Sequence, residues 1–219
     1  MKFFSSKKGA IGIGTLIIFI ALVLVAAIAA AVIINTAANL QQKAARVGQE
    51  STKQVASGIQ VVKVVGYAPN NNEITKLLIF VSPNIGDEID LSSTIVTLSN
   101  GEKKCSLVYD SAAYVNDPAI QGTEDLFNGD NVQTAWTYSG GDRFGVIILQ
   151  DADGSCNDSA HPTINFGDKV ALTVDLNAIG MPIKPRDLIE GEVIPEYGSP
   201  GIIEFYAPST FNRRVIELQ

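Results

Sequence analysis

Residues 10–34 read AIGIGTLIIFIALVLVAAIAAAVII, a run with no charge and with Thr15 as its only polar side chain. These 25 residues match the ~20 that a helix needs to cross a ~30 Å hydrocarbon core at 1.5 Å per residue. A short basic leader, Met1 to Gly9 (MKFFSSKKG), precedes them. Lys7 and Lys8 before an apolar run resemble the n-region of an export signal. Three readings meet here: a cleaved signal peptide, a permanent membrane anchor, or a leader cut ahead of the apolar stretch so that the stretch is kept. The run is longer than an ordinary signal core and continues into a helical pattern. The positive-inside rule places Lys7 and Lys8 in the cytoplasm and the remainder outside, which supports the last two readings.

Beyond Ile34 the pattern changes but the period does not. Leu40, Ala44, Val47, Ser51, Val55, Ile59 and Val62 recur at spacings of three and four, an apolar stripe on one helix face. Lys43, Arg46, Gln49, Glu50 and Lys53 occupy the rest. The spacing predicts one helix from about Ile11 to about Ile59, roughly 70 Å long. A domain of this size has no internal use for such a rod, so it reads as the spine of a bundle formed between chains. Gly66 to Asn72 (GYAPNNN) reads as a breaker and linker. Strand patterns follow at Ile74–Ser82, Ser93–Ser99, Glu102–Tyr109, Arg143–Gln150, Lys169–Leu176, Gly201–Tyr206 and Arg213–Leu218. Asn100-Gly101 between two of them is a hairpin signal. The fold class expected is α+β: a long N-terminal hydrophobic helix, then an all-β antiparallel sandwich or barrel of immunoglobulin-like character. Residues 110–142 are polar and poorly patterned and read as surface loops.

Charge divides along the same line. Residues 1–63 carry seven Lys and Arg against Glu50 alone, whereas the remainder carries nine basic residues against twenty-two acidic ones. An acidic outer part argues against a nucleic-acid surface and suits a domain kept solvated in water or salt. Cys105 and Cys156 lie in the part placed outside the cell, where they can form a disulfide or remain two free thiols.

Few stretches carry chemistry. Asp151, Asp153, Ser155 and Asn157 fall at alternate positions around Gly154. That is a set of hard oxygen donors suited to Ca2+, although it lacks the spacing and final glutamate of an EF-hand loop. Its plain alternative is an acidic turn. Asn157-Asp158-Ser159 is an N-glycosylation sequon, and one Asn157 side chain does not easily serve both a metal and a glycan. His161 is the sole histidine and reads as a loop residue. Ser199, in Gly198-Ser199-Pro200-Gly201, has the wrong spacing for a nucleophile elbow. Gly12-Ile13-Gly14 follows no strand and is no dinucleotide loop. Trp136, Tyr138 and Phe144 read as core. No catalytic constellation emerges, and no cofactor is required.

Several stretches resemble the archaellins, the archaeal flagellins. They are Lys7-Lys8-Gly9 running into Ala10–Leu16, the helical stretches Leu24–Ala37 and Leu40–Val61, and Lys184-Pro185-Arg186 with Glu190–Phe211. The likeness covers both ends and the spine but not the middle. It implies a class III, prepilin-like leader, residues 1–9, recognised through Lys7 and Lys8. A membrane aspartyl peptidase of the prepilin type would cut it between Gly9 and Ala10. Residues 10–60 would wait in the cytoplasmic membrane and then form the filament core, with residues 61–219 as the outer β-domain. Type IV pilins usually carry a glutamate at the fifth mature position; Gly14 stands there, as is common in archaellins. The resemblance implies a non-enzymatic subunit that polymerises with copies of itself into the extracellular archaellum filament for swimming. An adhesive pilin, or an extracellular β-domain on a single membrane anchor, are the alternatives.

Overall fold

The computed structural model describes residues 7–84, 88–116, 125–138 and 141–219. Met1 to Ser6 of the expected leader lie outside the described residues. The chain divides into two units, Met1–Ser51 and Thr52–Gln219.

The first element is the helix α1, Lys7–Ala56, about 75 Å long at 1.5 Å per residue. It ends earlier than the stripe predicts. Ile59 and Val62 belong to the first strand, β1, Ile59–Tyr67. Apolar residues spaced by three or four mark a helix only while the backbone stays helical, and Ser57-Gly58 interrupts it. The expected breaker is also displaced: Gly66 and Tyr67 are paired residues of β1, and the break between helix and sheet is Ser57-Gly58 instead.

The strands that follow are β2 (Lys76–Pro83), β3 (Ile89–Asp90), β4 (Ile95–Ser99), β5 (Lys104–Val115) and β6 (Arg143–Gln150). After them come β7 (Thr163–Ile164), β8 (Lys169–Asp175), a helical turn α2 (Leu176–Ile179), β9 (Leu188–Ile194), β10 (Gly201–Tyr206) and β11 (Val215–Glu217). Nine of them form one sheet in the order β10-β9-β4-β5-β6-β8-β2-β1-β11, and β3 pairs with β7. All pairings are antiparallel except β5 with β6. The domain is thus the expected all-β unit, built as one rolled sheet. Its first and last parts meet: Ile59 N–H donates to Ser199 at 3.2 Å, and the Gln219 amide spans the β10 edge, bonding Glu204 N–H and the Ile202 carbonyl. A bare edge would offer unpaired backbone groups to any passing strand. The Asn100-Gly101 hairpin forms as expected between β4 and β5, with Gly101 at φ 83°.

The core has two parts because β6 and β8 are covered on both faces. On one face Phe144, Val146, Val170 and Leu172 pack inside the roll. On the other, Ile147 and Ala171 meet Phe127, Val132, Ala135 and Trp136. That second layer comes from the stretch expected to be surface loops. Val132 and Ala135 are completely buried, on a 3-10 helix spanning Asp130–Trp136. The close approach needs Gly145, since a Cβ there would stand 2.3 Å from the Ala135 carbonyl oxygen and 2.6 Å from that of Ala113. Trp136 and Phe144 are core as expected, and the half-buried Tyr138 donates its hydroxyl to Thr173 Oγ1 at 2.9 Å. Lys76 closes the layer, its ammonium 4.6 Å from the Trp136 ring centre and bonded to the Phe127 carbonyl. Burial lowers its pKa, with Asp175 and Asp125 opposing the shift.

Candidate functional site

Two places invite a functional reading: the surface of α1, and the loop between β6 and β8.

Residues 12–55 of α1 are exposed throughout. Leu16, Ile17, Phe19, Leu22 and Val25 each show between 57 and 66 % of their surface. A side chain of this kind gains ~1.5–3 kcal/mol on leaving water, so a single copy in water is penalised at every turn of the helix. The two hydroxyls that would resist an apolar environment are already satisfied. Thr15 donates to the Gly12 carbonyl at 3.0 Å and Thr36 to the Val32 carbonyl at 2.7 Å, the back-bonding that lets hydroxyl residues sit in apolar surroundings. A Cβ at Gly12 or Gly14 would meet nothing within 4 Å, so these small residues answer to no contact within the chain. Small residues let helices approach closely when several pack together. After Lys8 the next charge on α1 is Lys43, and the exposed Arg46–Glu50 pair at 2.9 Å is worth a few tenths of a kcal/mol. Lys7, Lys8, Gly9 and Ala10, the residues of the expected leader junction, all lie within α1.

The loop gathers most of the expected metal ligands and adds one. Asp151 Oδ1 accepts from Gly154 N–H at 2.7 Å, and Asp153 Oδ1 accepts from Ser155 N–H at 3.0 Å. The bond from Ser155 N–H, and then the one from the Asn165 side chain, hold the Asp153 carboxyl below the usual carboxylate range. The added group is Asp168, completely buried. It accepts from Asn165 N–H at 2.9 Å and lies 3.4 Å from Ser155 Oγ. Ligand atoms of Asp151, Cys156 and Asp168 lie within 4.8 Å of one another. Among the described residues no lysine, arginine or histidine pairs with Asp168, so a buried carboxylate stands without a cation. Sequence spacing missed it because Asp168 is separated from the loop by β7; only the fold brings it back. Asn157 is not part of the set. Its Oδ1 accepts from Asn116 at 2.7 Å and its side chain is exposed.

The cysteines are not bonded to each other. Cys105 sits in the β4–β5 hairpin with Sγ 3.5 Å from the Leu98 carbonyl, and Cys156 donates to the Thr163 carbonyl at 3.1 Å. Of the two alternatives, this structure holds two free thiols: Cys105 lies on β5 and Cys156 in the loop after β6, each with its own local partner. Burial, and then the Asp168 charge, push the Cys156 thiol up to about 12. Sulfur is a soft ligand, and a hard cation at this loop takes the oxygens instead. His161 is a loop residue, as expected, 2.9 Å from Asp90. Among the described residues no base bonds to the Ser199 hydroxyl, and its backbone pairs with those of Ser57 and Ile59.

Comparison with known proteins decides the family. The model of archaeal-type flagellin matches residues 9–205. Flagellin B3 of Methanocaldococcus jannaschii is 62 % identical over 222 residues, which cover 100 % of this chain and 99 % of that one. The chain belongs to the archaeal-type flagellin family. Among solved structures, flagellin FlaB1 of Methanocaldococcus jannaschii superposes with a TM-score of 0.65 at 33 % identity, covering 75 % of this chain and 98 % of that one. The archaeal flagellum of Methanospirillum hungatei strain JF1 matches in fold, with a TM-score of 0.63 at 17 % identity, over 94 % of this chain and 98 % of that one. This archaeal flagellin is accordingly a structural subunit of the archaeal flagellum, the surface filament of swimming, and not an enzyme. A tethered single domain and an adhesive pilin are not favoured.

Proposed function

We propose that α1 is the polymerisation element of the filament and that it serves first as a membrane segment. The observation that carries the reading is the unbroken exposure of its apolar residues on all sides. In the bilayer, lipid covers them. After a prepilin-type peptidase cuts between Gly9 and Ala10, with Lys7 and Lys8 on the cytoplasmic side, helices of other copies replace the lipid. Apolar helix against apolar helix is nearly neutral relative to lipid, so transfer is cheap only when neighbours cover the helix completely. Extraction and assembly are then one coupled step. N-terminal sequencing and intact mass of sheared filaments test this: the mature chain begins at Ala10. Single copies held in membranes with residues 1–9 still attached would overturn it.

We further propose Ca2+ at Asp151, Asp153, Ser155 and Asp168, with the Thr163 carbonyl beside them. Carboxylate, hydroxyl and carbonyl oxygens suit a hard cation, and the burial of Asp168 with hydrogen-bond donors but no basic side chain beside it supports the reading. When bound, the ion would tie the β6–β8 loop to the start of β8. Asn157, freed of a ligand role and exposed, remains the candidate acceptor for an N-linked glycan, read out as added mass on the peptide that contains it.

A further inference from the structure

Side chains at the end of β5 hold the loop after β6, and the direction of their hydrogen bonds follows from one backbone oxygen. The Tyr114 hydroxyl donates to the Cys156 carbonyl, which can only accept. Its one proton is thereby engaged, so toward the neighbouring Asn116 side chain, which interacts with it, this hydroxyl can only accept. That turns Asn116 Nδ2 to this side, and the same Nδ2 donates to Asn157 Oδ1 at 2.7 Å. The Asn157 carboxamide is left with one orientation: Oδ1 toward Asn116, Nδ2 on the opposite side. Gly154 keeps that opposite side open, since a Cβ there would stand 2.9 Å from Asn157 Nδ2. Asn157 itself is exposed, whereas Tyr114 and Asn116 are half-buried. The backbone around Asn157 is held as well. Tyr114 fixes the carbonyl just before it, and Tyr109 donates to the Ser159 carbonyl at 2.9 Å. Two tyrosines of β5 thus pin the sequon Asn157-Asp158-Ser159 at both ends. Just beyond, Asp158 Oδ1 accepts from Ala160 N–H at 2.8 Å and turns the chain.

We propose that β5 presents Asn157 as a preshaped sugar acceptor on the folded domain, with Asn116 as its positioning residue. The inference rests on the reading of Asn157 as a glycan acceptor. In the transfer, Asn157 Nδ2 attacks C1 of a sugar activated as a glycosyl phosphate. The Nδ2–C1 bond forms and the bond from C1 to the phosphate oxygen breaks. The phosphate leaves with that electron pair, and Nδ2 gives one proton to a base of the transferase. Negative charge that builds on the carboxamide as the proton departs is shared with Oδ1, where the Asn116 donor stabilises it. The bond to Asn116 uses only Oδ1, so it survives the reaction and sets the direction in which the sugar leaves the loop. Asn157 contributes nothing to the oxygens around Asp168, so sugar and cation do not compete for it.

The test uses full-length chain expressed in an archaeal host that glycosylates its surface proteins and lacks its own flagellins. Mass spectrometry of the peptide carrying Asn157 gives the ratio of modified to bare chain, and thermal melting of each variant is measured beside it. Asn116→Ala is expected to lower the ratio about fivefold, the effect of one neutral hydrogen bond of ordinary strength. Asn116→Asp, equal in size, is expected to lower it more than about tenfold. A carboxylate can only accept, so it turns the Asn157 carboxamide over and holds Nδ2, and charge-assisted bonds are the stronger ones. Asn116→Gln keeps a donor and is expected to retain most of the modification. Tyr114→Phe, which frees Asn116 to turn, is expected to fall between wild type and Asn116→Ala. Equal ratios for wild type and Asn116→Asp overturn the positioning role and mean that transfer precedes folding of the loop. A ratio that follows melting temperature across the variants overturns it too, because loop integrity alone then accounts for occupancy. Failure of the underlying reading shows differently, as a bare Asn157 in the wild-type chain.

Discussion

Val25 and Val170 are the same side chain in opposite circumstances. Val25, on α1, is 66 % exposed, while Val170, on β8, is completely buried. The physics of the two is identical, since each gains by leaving water. They differ in where the cover comes from. Val170 finds its partners within the chain, because β8 is flanked by β6 and β2 and sandwiched between two layers. Among the described residues Val25 finds no such cover. The domain is therefore self-sufficient in folding, and the helix completes its burial only in company.

The comparison breaks most sharply by placing a charge at each site. Val170→Asp is expected to unfold the domain, a loss of more than ~4 kcal/mol, as for an unpaired charge in a core. Thermal melting followed by near-UV circular dichroism reads it. Val25→Asp is expected to leave that melting transition within a degree and to abolish filaments in electron micrographs. If Val25→Asp filaments form normally, the helix does not supply the buried core.

Calcium gives the next largest effect. If Asp168 needs a cation, chelation lowers the melting temperature of the wild-type domain, and readdition restores it. At a hundredfold excess over the dissociation constant the gain is about 2.7 kcal/mol. Asp168→Asn is expected to melt identically with and without the ion. A wild-type domain indifferent to chelator would return the loop to a plain acidic turn.

The helix was legible in the sequence because nothing about it depends on distant residues: length, apolarity and flanking charge are all local. Its end was less so, since Ile59 and Val62 fit the helical period yet fold into β1. The strands were mostly readable from alternation and turns, and the Asn100-Gly101 hairpin was fixed by local backbone chemistry. What could not be read was anything made by long-range closure. Val132, Ala135 and Trp136 sit in a polar stretch without period, and only their packing on β6 and β8 makes them core. Asp168 joins the acidic loop for the same reason.

Gly145 measures how tightly that second layer is built. A methyl group there meets two carbonyl oxygens closer than any real contact allows. Gly145→Ala is expected to cost ~1–3 kcal/mol, the usual range for overpacking, seen as a lower urea midpoint with filaments intact at low temperature. An unchanged midpoint would mean that the 3-10 helix is not seated firmly on the sheet.

Single polar contacts complete the contrast between the regions. Tyr138→Phe removes the hydrogen bond to Thr173 inside the second layer, and ~0.5–1.5 kcal/mol of domain stability should go with it. Glu50→Ala removes the Arg46 pair on α1, where the two side chains are 81 and 61 % exposed; an exposed pair of this kind contributes ~0.3–0.5 kcal/mol. Helicity of the isolated subunit in detergent is therefore expected to change little for Glu50→Ala, and its domain melting not at all.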